Sequence, residues 1–392
     1  MNKKILLLTG LGWMFDAMDV GIVSFIAAAL VGEWQLTSEQ VGWIGSINSL
    51  GMAIGAMLAG LFADRWGRKP VLLASLLIFS LASGLSALAT GLAIFLLFRF
   101  FIGVGLGAEL PIASTLIAEH EANETRGRAV VLLESFWAIG WILSAILAYF
   151  VIPAYGWRVA LIICAIPALY TVFLRSSLPE TKRQTVKKVS FGEAIGRIWA
   201  KPYLRATVVL AILWFSVVFS YYGMFLWLPT VMVLKGYSLI KSFQYVLIMT
   251  IAQLPGYFSA AWLIEKAGRK FVLVSYLVGS AASAWAFGSA ESLAGLMISG
   301  ILLSFFNLGA WGAMYAYTPE QYPAVIRATG AGFAASVGRV GGILGPLFVG
   351  YAVASQFSFG RIFGIFLCIT LIGAAVVGLW GKETKGISLD RQ

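Results

Sequence analysis

Long apolar runs separated by short polar breaks dominate this chain. The runs lie near 5–31, 39–63, 70–89, 92–119, 129–153, 157–175, 206–234, 239–263, 271–289, 292–317, 326–352 and 357–380. Each reaches or approaches the roughly 20 residues an α-helix needs to cross a bilayer. The pattern predicts an all-α membrane protein with 12 transmembrane helices and both termini on one side. Met1 to Lys4 and the apolar run that follows resemble a signal peptide. That run is too long and carries Asp16 and Asp19, so it reads as the first spanning helix. The one long polar connection, 176–205, divides a bundle at 1–175 from another at 206–392, and Phe191 to Trp199 within it is patterned as a short amphipathic helix on the membrane surface.

The two halves echo one another. Gly60 to Lys69 reads Gly-Leu-Phe-Ala-Asp-Arg-Trp-Gly-Arg-Lys between runs two and three, and Trp262-Leu263-Ile264-Glu265-Lys266-Ala267-Gly268-Arg269-Lys270 repeats it between runs eight and nine. In both, an acid, a glycine and a basic cluster form a tight charged turn where the chain re-enters the membrane. The acid can pair with an arginine or with the positive end of a helix, a contact that can break and re-form. Gly60, Asp64, Arg65, Gly67 and Arg68, with Glu265, Gly268 and Arg269, are therefore candidate gating residues. A plain basic anchor is the alternative for one copy; two copies in matching places favour gating.

Charge refines the topology. The chain is 60% hydrophobic and 11% charged, with a net charge of +11. Of 28 Lys and Arg, all but Arg158, Lys235, Lys241, Arg361, Arg99 and Arg339 fall at the termini and in alternate connections. That bias predicts cytoplasmic termini and explains the basic charge without nucleic acid. Cys164 and Cys368 lie in separate runs and His120 is the single histidine. A disulfide framework, a zinc or haem site and a His-based triad are thereby disfavoured, no cofactor is expected, and no nucleophile–base pair suggests an enzyme.

Ionisable residues inside apolar helices are costly and mark function. Asp16 and Asp19 stand three apart in run one, Arg99 and Glu109 lie in run four, and Glu134 in run five. Arg99 is expected to pair with Asp19 or Asp16. Four acids against two arginines leave carboxylates to carry protons, so Asp16, Asp19, Arg99, Glu109 and Glu134 are the proton-coupling candidates. Gly103-Val104-Gly105-Leu106-Gly107 imitates a dinucleotide fingerprint, but no strand precedes it, and close helix packing accounts for it. Trp137 shares a helical face with Glu134. In the second half, Tyr221, Tyr222 and Phe225, then Gln253, then Asn307 and Trp311, form polar-aromatic faces suited to a flat ligand. Arg339, flanked by Gly338 and Gly341, is a candidate anion binder or a member of a buried ion pair.

These motifs resemble the major facilitator superfamily along essentially the whole chain: the Gly60–Lys69 loop and its copy, the Arg99–Gly107 helix motif, and Asp16-Ala17-Met18-Asp19-Val20-Gly21, similar to aromatic acid:proton symporters. Gly12-Trp13-Met14-Phe15-Asp16-Ala17-Met18-Asp19, Leu132-Leu133-Glu134-Ser135-Phe136-Trp137-Ala138, Tyr221-Tyr222-Gly223-Met224-Phe225-Leu226-Trp227-Leu228-Pro229 and Thr318-Pro319-Glu320-Gln321-Tyr322-Pro323 resemble bacterial niacin permeases. The resemblance implies two pseudo-symmetric six-helix bundles, the major facilitator fold, in the bacterial cytoplasmic membrane. It implies proton-coupled uptake of nicotinate or a similar small aromatic acid, and a single copy of the chain is expected to be the functional unit. It also implies proton coupling at Arg99, Asp16 and Asp19 and anion binding at Arg339. Gly140 to Tyr149 lacks the proline-glycine signature of antiporters, which disfavours drug export. A uniporter, a drug or metabolite exporter and a non-transporting nutrient sensor are the alternatives.

Overall fold

Hydrocarbon offers backbone N–H and C=O groups no partner, so apolar runs of this length satisfy themselves as helices. A computed structural model of the chain describes residues 3–66, 68–120, 126–176 and 191–386, and among these there is no strand. The first half comprises α1 (Lys3–Glu33), α2 (Ser38–Trp66), α3 (Arg68–Ser86), α4 (Leu92–His120), α5 (Arg126–Phe150), the short α6 (Ile152–Tyr155) and α7 (Trp157–Ser176). After α8 (Phe191–Ile198), the second half comprises α9 (Lys201–Phe225), α10 (Leu228–Leu234), α11 (Leu239–Ile251), α12 (Gln253–Ala267), α13 (Arg269–Ser289), α14 (Leu293–Tyr317), α15 (Ala324–Ala354) and α16 (Phe359–Trp380). Among the described residues, nine helical stretches are long and apolar enough to span a membrane. Shorter apolar stretches at Leu73–Ser86, Leu92–Gly107 and Trp157–Ile166 occupy the remaining positions of a twelve-span layout.

Two apolar runs are broken where continuous helices were expected. The run at 206–234 divides into α9 and α10 at Trp227, and Pro229 falls in the first turn of α10, where its missing N–H costs nothing. The run at 239–263 divides at Ala252 into α11 and α12. Helix α9 begins at Lys201, inside the stretch read as linker, with Pro202 in its first turn. The amphipathic α8 buries Ala194 and Ile198, and its last carbonyl receives Thr207 Oγ1 of α9 at 2.6 Å. It is thereby fastened to the second half.

Helix pairing repeats between the halves. In the first, α2 and α4 meet backbone to backbone: a Cβ at Gly51 would strike Phe100 O, and one at Gly107 would strike Met52 O. The equivalent α12 and α14 meet at Gly256 and Phe305 O. Likewise α1 and α5 meet at Met14 O and Gly140, as α9 and α15 do at Phe219 O and Gly345. The glycine run of α4 is thus a packing surface, because small residues let helices approach to backbone contact.

The halves also meet each other. At the end opposite the termini, Ser46 Oγ of α2 donates to Ile343 O of α15 at 2.7 Å, and Phe25 of α1 meets Phe243 of α11 edge to face at 5.3 Å. That end is closed, and the candidate site lies beneath it.

Candidate substrate cavity between the two halves

The site is assembled from one stripe on each of several helices. Trp13, Asp16 and Val20 follow one face of α1, Trp311 and Tyr315 one face of α14, and Trp137, Tyr222 and Arg339 join them from α5, α9 and α15. Met52 of α2 and Leu106 of α4 complete the lining. About 330 Å³ of empty space is spread among these side chains, with room for little more than one water-sized sphere. An aromatic ligand enters only if the halves separate.

The aromatic residues form a connected cage. Trp13 and Trp137 lie 5.1 Å apart, Tyr221 and Trp311 4.6 Å, and Trp311 and Tyr315 5.7 Å between ring centres. Two indole N–H groups bridge the halves. Trp137 Nε1 donates to Tyr221 Oη at 2.7 Å, and Trp311 Nε1 donates to the buried Glu134 Oε2 at 3.3 Å. The Glu134, Trp137 and Trp141 stripe of α5 therefore faces the other half.

Arg339 is half-buried and shares the cavity lining with Tyr222 and Tyr315. Its Nη1 donates to Met52 Sδ at 3.4 Å, a weak acceptor. A guanidinium held this way retains donors for a carboxylate, which it binds best through two parallel bonds.

Asp16 and Asp19 have separate surroundings although three residues apart. Asp16 lines the cavity. Asp19 is turned away from it, accepting Ser83 Oγ at 2.6 Å on one oxygen and Arg99 Nη1 at 2.9 Å on the other, with both charged side chains about 1% exposed. This pair ties α1, α3 and α4 together.

Of the other binding candidates, Tyr221 and Phe225 form a second layer, their rings 5.0 Å apart. Asn307 Nδ2 donates to Ser280 Oγ of α13 at 3.0 Å, away from the cavity. Gln253 is buried outside the lining; both its amide atoms, and Tyr257 Oη one turn on, lack a hydrogen-bond partner among the described residues. Sequence patterning does not single out Trp13, Met52 and Leu106. Trp13 had the clearer signal, one turn before Asp16 on the same face.

The second charged turn is a network. Gly268 has φ of +96°, and a Cβ there would strike the carboxylate of Glu383. Glu383 caps α13, accepting the backbone N–H of Arg269 at 2.9 Å and of Lys270 at 3.0 Å. Arg269 pairs with Glu265 at 2.9 Å and with Glu320 at 3.1 Å. In the first copy, Gly60 lies within α2, while Gly67 and the side chains of Asp64, Arg65 and Arg68 lie outside the described residues, as does the side chain of Glu109.

Two bundles with repeated packing around a central polar-aromatic cavity define a membrane carrier. The chain belongs to the Major Facilitator Superfamily, whose family model matches residues 9–270 and 245–388. It is 59% identical over 392 residues to the NiaP protein of Bacillus subtilis, whose name gives niacin or nicotinamide as cargo, covering 99% of this chain and 98% of that one. It is 45% identical over 420 residues to the niacin transporter NiaP of Acinetobacter baylyi, covering 99% and 96%. Among solved structures it is similar to the proton:xylose symporter XylE, with a TM-score of 0.77, 19% identity and coverage of 98% and 97%. A crystal structure of a D-xylose-proton symporter gives a TM-score of 0.80 at 20% identity, covering 98% and 99%. The chain is a multi-pass membrane transporter, not an enzyme.

Proposed function

We propose that this transporter imports nicotinic acid into the cell with protons, by alternating access of one central site. The observation that carries the reading is Arg339, whose fixed bond is to a thioether, in a cavity walled by Trp13, Trp137, Tyr222, Trp311 and Tyr315. Nicotinate has one carboxylate and one flat ring. Arg339 takes the carboxylate, and the indoles and phenols take the ring. The relatives named for niacin support the same cargo. Neutral nicotinamide, which one relative's name includes, offers the arginine no charge to pair with and is the weaker ligand.

Proton coupling is supported by Asp16 in the cavity lining and by Glu134 behind it, bonded to Trp311. Asp19 is turned away from the cavity, whereas Asp16 lines it and Glu134 is bonded to its Trp311 wall across the halves, so Asp16 and Glu134 are the acids placed to exchange a proton as the halves move. The basic bias of the connections orients both termini to the cytoplasm of a bacterial inner membrane. Glu265, Arg269 and Glu320 then lie on the cytoplasmic face, where their contacts break and re-form as the carrier cycles.

The test is uptake of radiolabelled nicotinate into proteoliposomes under an imposed inward proton gradient, with and without an uncoupler. Accumulation above equilibrium that collapses with the uncoupler is expected. Equilibration indifferent to the gradient identifies a uniporter, and no uptake by correctly folded protein removes nicotinate as cargo.

A further inference from the structure

We infer that the terminal end of the second half contains a binding site for the phosphate of an anionic phospholipid, between the start of α9 and the end of α16. A groove enclosing about 1080 Å³, partly open to solvent, lies there, and Lys201, Arg205 and Lys382 line it. Two carboxylates, Glu320 and Glu383, line it as well, but both are committed elsewhere. Glu320 receives Arg269 Nε at 3.1 Å and Thr384 Oγ1 at 2.5 Å. Glu383 accepts the backbone N–H groups of Arg269, Lys270, Thr384 and Lys385. Among the described residues, none of the three cations is within ion-pair distance of a carboxylate. Arg205 Nε donates to Trp380 O at 2.7 Å, which orients the guanidinium and leaves both Nη groups for an anion.

The position of the groove selects a lipid over a soluble phosphate. It opens where the apolar α16 ends, and Trp380, in the last turn of that helix, is 53% exposed and lines it. Indole rings at the ends of spanning helices settle at headgroup level. Deeper in, Ala206 and Val209 provide an apolar wall against which the first carbons of an acyl chain can lie. Each cation at such a depth strengthens binding of an anionic headgroup about fivefold. This site depends on the membrane-spanning fold and not on the identity of the cargo.

The experiment titrates delipidated full-length protein in detergent with phosphatidylglycerol, phosphatidylcholine or glycerol 3-phosphate. Native mass spectrometry counts bound lipid, and thermal unfolding follows protection. Phosphatidylglycerol is expected to bind and protect, and Lys201→Gln/Lys382→Gln to weaken its apparent affinity tenfold or more. Neither lysine side chain makes a hydrogen bond among the described residues, and an unchanged lipid-free unfolding temperature verifies the fold of the variant. The control Arg197→Gln/Lys266→Gln removes equal charge from the same end and should change affinity less than twofold. Equal weakening by the control would reduce the effect to diffuse charge attraction and overturn the site. Equal protection by glycerol 3-phosphate at like concentration would overturn the lipid assignment.

Discussion

Trp311 Nε1 of α14 donates to Glu134 Oε2 of α5 at 3.3 Å, so a wall of the aromatic cage is bonded to a buried acid of the opposite half. Protonation removes charge from the acceptor and loosens that bond, which couples proton occupancy to the position of a cage ring. Glu134→Gln keeps an oxygen acceptor but cannot release a proton. It is expected to retain nicotinate counterflow while losing uphill accumulation, measured in the same proteoliposomes with and without a proton gradient. Uphill accumulation at the unaltered level would exclude Glu134 as the carrier.

Arg339→Ala should raise the half-saturation concentration for nicotinate. Charge-assisted hydrogen bonds are worth about 1.5–3 kcal/mol, which corresponds to roughly 10- to 150-fold. Arg339→Lys retains the charge without the planar fork and should fall between Ala and the unaltered protein. Competition by neutral nicotinamide should be much less affected, and equal loss for both ligands would move the carboxylate elsewhere.

The Asp19–Arg99 pair is buried at about 1% exposure, so removing one partner leaves a charge without a counterion. Arg99→Gln should lower stability by about 3–5 kcal/mol. The double variant Arg99→Gln/Asp19→Asn should recover part of that loss, because both charges are gone. Thermal unfolding of purified protein measures this cycle; additive losses would show that the pair does not act as a unit.

Gln253 carries a buried amide that neither donates to nor accepts from any described residue. Gln253→Met removes that desolvated group and should raise stability by about 1–3 kcal/mol. If the amide meets water or cargo when the halves part, uptake should fall at the same time. A stabilised variant with unaltered uptake would assign Gln253 no part in transport.

Gly42 of α2 lies against Leu347 of α15 at the closed end, where a Cβ on the glycine would be 3.3 Å from Leu347 Cα. Gly42→Cys/Leu347→Cys brings two thiols within bridging range. Oxidation is expected to abolish net uptake and reduction to restore it. Full activity of the oxidised, cross-linked protein would rule out opening at this end.

Much of the architecture is legible in the sequence because bilayer thickness and backbone hydrogen bonding leave few choices. Runs of about 20 apolar residues must be spanning helices, and the duplicated charged turn at Asp64 and Glu265 exposes the two-half design. Costly intramembrane charges such as Asp19, Arg99, Glu134 and Arg339 announce themselves by composition alone. Tertiary structure decides what those charges meet. Positions three apart on a helix differ by some 60° in direction, enough to point Asp19 at Arg99 and Ser83 while Asp16 lines the cavity. Asn307 and Trp311 are one turn apart, yet the first bonds to α13 and the second reaches Glu134 across the halves. Met52, an apolar residue in an apolar helix, carries no sequence mark, and Trp13 carries only its place one turn before Asp16. They join the site because helix packing brings distant stretches of chain together, a relationship that local periodicity does not contain.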